Sequence, residues 1–181
     1  MLAVLCHDLG KATTTVFERA RWRSPAHDVD GVAPTRSFLA RVTAQESVVE
    51  QVVALVREHL RPMQLMQAGD RVGEGAIRRL AARVDLRALV RVAWADAAGR
   101  ASAVPESWAP GAWLLARAEA LGVKDAAPQP LLQGRDLIAL GVAPGPTVGA
   151  VLSEAFELQL DGQLDDRAAA LAWLRARVAD Q

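Results

Sequence analysis

The sequence has no tyrosine, a single cysteine, two lysines (Lys11 and Lys124) and three histidines among its 181 residues. One cysteine excludes an internal disulfide framework and fits a reducing compartment. Cys6 itself, inside an apolar stretch, reads as a small buried side chain. No apolar run approaches the roughly 18–20 residues that a bilayer span requires. The first residues carry neither the charged n-region nor the cleavage site of a secretory signal, so the expected setting is cytoplasmic, with no membrane partner. Excess charge is missing too: 21 basic residues meet 21 acidic ones. Whole-chain electrostatics therefore give no argument for nucleic-acid binding. The charges are unevenly placed, however. Seven arginines fall within residues 69–103, at positions 71, 78, 79, 83, 87, 91 and 100, and residues 153–181 lean acidic. The arginine cluster fits a solvated face, or bidentate phosphate contacts.

What remains is a chain rich in Ala, Leu and Arg with few alternating strand patterns, which reads as all-α. Residues 1–9 look like the last turns of an apolar helix stopped by Gly10. Residues 12–34, broken by Pro25, Gly31 and Pro34, read as irregular. A short helix is expected over 35–42. A strong one is expected over 45–60, burying Val48, Val49, Val52, Val53, Leu55 and Val56, with Pro62 following its end. Further helices are expected at 74–82, 86–99 and 110–122, the last with proline at its start and glycine at its end. Pro128 and Pro130 mark a linker. Beyond it come a short helix, a Gly-Pro turn, a longer helix and a final helix capped by Asp165 or Asp166. The expected organisation is one domain over 1–124 and a small helical appendage over 131–181.

The chemistry concentrates in few residues. His7, His27 and His59 each lie near a helix end or in an irregular segment, each beside a carboxylate: Asp8, Asp28 and Glu58. Neutral imidazole with carboxylate suits a divalent metal that carries a catalytic water. Asp96 sits in the apolar helix "VAWADAAGR", where an unpaired carboxylate is costly. Metal ligation or an ion pair with an arginine would account for it.

"LCHDLGK", "SPAHDVDG", "REHLRP" and "WADAAGR", in that order and spacing, resemble the HD superfamily of metal-dependent phosphohydrolases. More closely they resemble the HD domain of bacterial tRNA nucleotidyltransferases, the CCA-adding enzymes. The stretch beginning "LLQGRDLIALGVAPGPTVG" resembles the C-terminal part of the same group. The resemblance implies an HD-type helical bundle and a divalent metal cofactor, Mg, Mn, Ni or Co, as one or two ions. It implies that His7, Asp8, His27, His59 and Asp96 are ligands, with Asp8 shared between two ions and central to catalysis. Lys11 follows the doublet where a cation can steady a phosphate in catalysis and substrate binding. Arg100, one turn beyond Asp96, is a candidate for phosphate binding or for structural pairing. The family pattern also begins with a histidine on a helix before the doublet, and the nucleotidyltransferase head precedes that. Neither is in this sequence, so a truncated front, weaker metal binding and reduced activity are expected.

Three functions stay open on these grounds. The first is a phosphohydrolase acting on phosphomonoesters or 2′,3′-cyclic nucleotides. The second is a non-catalytic tRNA-holding body of a tRNA nucleotidyltransferase, gripping the backbone through the arginine-bearing helices and the "GVAPGPTVG" turn. The third is a degenerate fold kept for packing or homodimer formation. The five candidate ligands favour the first.

Overall fold

A computed structural model of the protein describes residues 1–100 and 106–179; residues 180–181, the tip of the expected appendage, fall outside it. Among the described residues the regular secondary structure is helical apart from one hairpin. In order, α1 spans Leu2–Cys6, α2 Lys11–Thr14, β1 Val16–Glu18, β2 Arg21–Arg23, α3 His27–Asp30, α4 Val32–Leu39, α5 Glu46–Glu58 and α6 Arg61–Ala68. Then come α7 at Glu74–Arg83, α8 at Leu86–Arg100, α9 at Ala109–Ala120, α10 at Gly134–Ala139, α11 at Pro146–Leu160 and α12 at Arg167–Ala179. None of the described helices is long and apolar enough to cross a membrane.

The valine spacing of α5 explains its place. Val49, Val52, Val53 and Val56 are buried on one face, at intervals of three and four, as an amphipathic helix requires. That face packs with Ala3 and Cys6 of α1, Leu39 of α4 and Val92 of α8. A second cluster joins Ile77 and Leu80 of α7, Leu86 and Leu89 of α8, and Leu114 and Ala118 of α9. Helix α8 thus supplies buried residues to both clusters. Its N-terminus is capped by Asp85, whose Oδ1 accepts from the Ala88 amide at 2.7 Å, a satisfied first-turn donor. A third cluster joins Leu137 of α10, Val151 and Ala155 of α11, and Ala170 and Leu174 of α12.

Several local expectations are corrected. Residues 12–34 hold real structure: β1 and β2 pair antiparallel, with Phe17 opposite Trp22. Between them Arg19 and Ala20 have φ of 49° and 60°. Two positive-φ residues form the tight loop whose twist matches the strands, and this stretch lacks the usual glycine that advertises it. Pro62 follows the end of α5, as expected. It sits in the first turn of α6, where its missing N–H costs nothing. Gly10 is not a left-handed stop; its φ of −66° is right-handed and it is the N-cap of α2. Of the two aspartates proposed to cap the last helix, Asp166 accepts from the Ala169 amide at 2.7 Å.

Much of the arginine cluster is neutralised by carboxylates. Arg78 pairs with Glu74, Arg83 with Glu58 and Arg87 with Asp125. Arg79 reaches α11: its Nε donates to Glu157 and its second nitrogen to Asp161, both at 2.7 Å. Arg78 donates to the Leu160 carbonyl at 3.3 Å. A Cβ on Gly75 would lie 2.5 Å from Asp161 Oδ1, so the glycine lets α7 approach the end of α11. The Arg79 guanidinium holds the Asp161 carboxyl below its ordinary range.

We expect limited proteolysis of the folded chain to cut first within residues 124–130, between the second cluster and the third. Arg79→Ala should speed that cut by loosening the contact between α7 and α11. First cleavage inside 134–160 would contradict the division.

Candidate metal centre

The three histidines share one local device. Each stands three residues beyond a backbone carbonyl that its Nδ1 reaches: His7 to Val4 at 2.7 Å, His27 to Ser24 at 2.7 Å, His59 to Val56 at 2.6 Å. A carbonyl only accepts, so Nδ1 carries the proton and, in the neutral ring, Nε2 presents a lone pair. His7 follows the end of α1, His27 opens α3 and His59 follows the end of α5. Helix ends leave carbonyls without intrahelical partners, and for α1 and α5 these imidazoles take up one of them.

The Nε2 atoms converge. His7 Nε2 lies 3.3 Å from Asp8 Oδ2 and 3.3 Å from Asp96 Oδ1. His27 Nε2 lies 3.6 Å from Asp8 Oδ1. The His59 ring centroid is 5.3 Å from those of both His7 and His27. Two sets of ligand atoms result, Asp8–His27–His59 and His7–Asp8–Asp96, each with its atoms within 4.8 Å of one another. Asp8 belongs to both. The five residues come from α1's end, α3, α5's end and α8, so the fold gathers what the sequence separates.

The residues fit a divalent cation. His59 Nε2 is buried and makes no hydrogen bond, and Asp8 Oδ1 is buried without one. Buried polar atoms without partners are costly. With Nδ1 protonated, imidazole lone pairs also face carboxylate oxygens, acceptor against acceptor. A bound cation, or added protons, relieves that opposition. The electrostatics agree: the Asp96 carboxylate facing Nε2 raises the His7 pKa despite burial, so that nitrogen favours a positive partner, whereas burial pushes the His59 pKa down. Burial also acts to raise Asp96, but His7 and Arg100 outweigh it and hold the carboxyl below its ordinary range.

The other candidates are placed as follows. Lys11 Nζ donates to Asp8 Oδ2 at 2.7 Å, at the half-exposed rim. Arg100 donates to Asp96 Oδ2 at 2.6 Å, leaving Oδ1 toward His7. So Asp96, ambiguous in sequence, has both an arginine and the histidine cluster. Glu58, the carboxylate next to His59, instead pairs with Arg61 and Arg83 at 3.1 and 3.2 Å. Two supporting features were not read from the sequence. One is the set of carbonyls at Val4, Ser24 and Val56, although the i−3 spacing is legible once the helix ends are known. The other is the contact at Gly10, where a Cβ would lie 2.1 Å from the His27 carbonyl oxygen and 2.6 Å from the Gly31 amide nitrogen. Glycine there lets α3, and His27 with it, lie against the turn that bears His7 and Asp8.

The HD domain family profile matches residues 1–100, the segment that holds all five residues. The chain belongs to the HD domain family. It is 35% identical to the CC-adding tRNA nucleotidyltransferase of Thermus thermophilus, an alignment covering 96% of this chain and 38% of that protein. It is 31% identical to the A-adding tRNA nucleotidyltransferase of Deinococcus radiodurans, over 90% of this chain and 38% of that protein. A multifunctional CCA protein of Xylella fastidiosa is 38% identical over 69 residues, 38% of this chain and 16% of that protein. This HD domain chain thus spans well under half the length of the curated relatives it matches. No solved structure matches it.

Gly10→Ala drives a methyl into backbone rather than into a flexible side chain. We expect a loss of about 1–3 kcal/mol in unfolding free energy, the usual cost of overpacking, together with weaker divalent-ion binding as His27 is displaced. Gly149→Ala, where an added Cβ meets nothing within 4 Å, should leave both unchanged or slightly raise stability. Equal effects from the two substitutions, by thermal melts and metal titration, would contradict the close-approach role.

Proposed function

We propose that this HD domain is a metal-dependent phosphohydrolase acting on phosphomonoesters or 2′,3′-cyclic nucleotides. The observation that carries the reading is the convergence of three imidazole Nε2 atoms on Asp8 and Asp96, each ring turned inward by a carbonyl bond at its other nitrogen. His7, Asp8 and Asp96 would hold one ion; Asp8, His27 and His59 would hold a second. Three imidazoles favour Mn, Ni or Co over the oxygen-preferring Mg. When bound, such ions supply a nucleophilic water near neutral pH and offset charge on the phosphate oxygens.

The chain's own residues do the rest. Asp8 directs one oxygen toward His7 and the other toward His27, so a single carboxylate serves both halves of the site. Lys11 screens Asp8 at rest, and from the rim its ammonium can turn to a phosphate oxygen. Arg100 acts through Asp96, fixing that carboxylate so that Oδ1 faces His7. Outer partners of this kind set ligand orientation.

A second reading has its own support. The relatives matched over 96% and 90% of this chain are tRNA nucleotidyltransferases. In that account the chain helps hold tRNA and hydrolyses nothing itself. Removing Asp8 would then leave tRNA binding unchanged.

Hydrolysis of p-nitrophenyl phosphate or 2′,3′-cyclic AMP should require added divalent ion and disappear with chelator. Asp8→Ala should abolish it, exceeding the roughly 10–100-fold loss typical of an outer partner. Arg100→Ala should fall within that range and act mainly on metal affinity. Lys11→Ala should mainly raise KM if the ammonium contacts phosphate equally in ground and transition states. Hydrolysis that is independent of metal and untouched by Asp8→Ala would sink the enzymatic reading.

A further inference from the structure

The hairpin between α2 and α3 presents an aromatic pair that the core does not use. Phe17 is 60% and Trp22 72% exposed, and their rings meet edge to face with centroids 5.1 Å apart. Directly opposed residues share a face, so this pair stands on one side of the ribbon, with Val16, Glu18, Arg21 and Arg23 on the other. Residues two apart along a strand also share a face. The aromatic face therefore continues into Thr15 and Ser24, whose hydroxyl oxygens lie 2.8 Å apart.

That hydroxyl pair joins the ribbon to the candidate metal centre. Thr15 Oγ1 donates to the Lys11 carbonyl at 2.6 Å, and the Ser24 carbonyl accepts from His27 Nδ1 at 2.7 Å. The aromatic pair is thus one strand repeat, about 7 Å, from residues that hold Lys11 and His27 in place. The ribbon also carries Arg19, Arg21 and Arg23 against the single carboxylate of Glu18. Its tip is held in the positive-φ conformation by Arg19 and Ala20 rather than by glycine, which costs roughly 1–2 kcal/mol per residue.

We propose that the Phe17–Trp22 face is a stacking platform for the nucleobase of the substrate, so that the neighbouring centre takes nucleotides in preference to plain phosphoesters. The proposal rests on the phosphoester reading of that centre. An exposed aromatic face offers every base a surface to stack on without reading its edges. Two rings are too small an apolar area for a stable protein interface, but they suit one base.

The test compares adenosine 5′-monophosphate with methyl phosphate, by titration calorimetry on the full chain in the presence of Mn²⁺. The wild-type chain should bind the nucleotide at least about tenfold more tightly, the scale of one base–aromatic stack. Trp22→Ala should erase that advantage while leaving methyl phosphate unchanged, and Trp22→Phe should keep most of it. A nucleotide bound no more tightly than methyl phosphate overturns the proposal. So does equal weakening of both ligands by Trp22→Ala, and so does a sedimentation shift in oligomeric state with nucleotide binding intact. Hydrolysis of p-nitrophenyl phosphate with no nucleotide preference would remove the platform alone. Nucleotide preference without metal-dependent hydrolysis would remove the hydrolase reading alone.

Discussion

Each of the three imidazoles donates its Nδ1–H to a carbonyl three residues behind it. That single bond, repeated, sets the direction of the other ring nitrogen, and the polar centre of the fold depends on it. Once Nδ1 is committed, a neutral ring has only a lone pair left for the interior. The lone pairs converge on carboxylates that also only accept. A cluster built this way is poor at satisfying itself and well suited to a cation. The orphaned His59 Nε2, on a side chain 2% exposed, is the plainest sign of it.

The helices serve that geometry. The ligands occupy ends and turns, while the valines and leucines behind them fill the clusters that keep the ends in register. Helix α8 contributes to both clusters and carries Asp96 in its last turn and a half. The position of Asp96 relative to His7 is therefore fixed by packing over most of the helix, and Arg100 fixes its rotation locally. Gly10 sets the other critical distance, because a side chain there would collide with the backbone that carries His27.

Long, strongly patterned elements were legible from sequence. The valine stripe over 45–60 emerges as α5, and the helices expected at 74–82 and 86–99 emerge as α7 and α8 within a residue of their bounds. Histidines beside carboxylates at segment ends, with one carboxylate in an apolar helix, marked His7, His27, His59, Asp8, Asp28, Glu58 and Asp96; the resemblance to HD domains was needed to narrow these to the five that the fold draws together. What was illegible lay in short segments. The hairpin has three-residue strands and a positive-φ turn made by arginine and alanine, so neither periodicity nor turn chemistry announces it. The glycine at position 10 looked like a helix stop because glycine is most often needed for its φ. Its actual use, a close approach of two backbones, depends on a residue 17 positions away in the chain. Glu58 sat next to a histidine and still turned toward two arginines, because adjacent residues on a helix face different directions.

The most direct measurement is anomalous diffraction from crystals of this chain grown with Mn²⁺. The account predicts anomalous density bounded by His7, Asp8 and Asp96, or by Asp8, His27 and His59, with Asp8 contacting every ion present and each histidine bound through Nε2. Well-ordered crystals with the five side chains in place and no anomalous peak among them, or with Mn²⁺ held elsewhere, would contradict it.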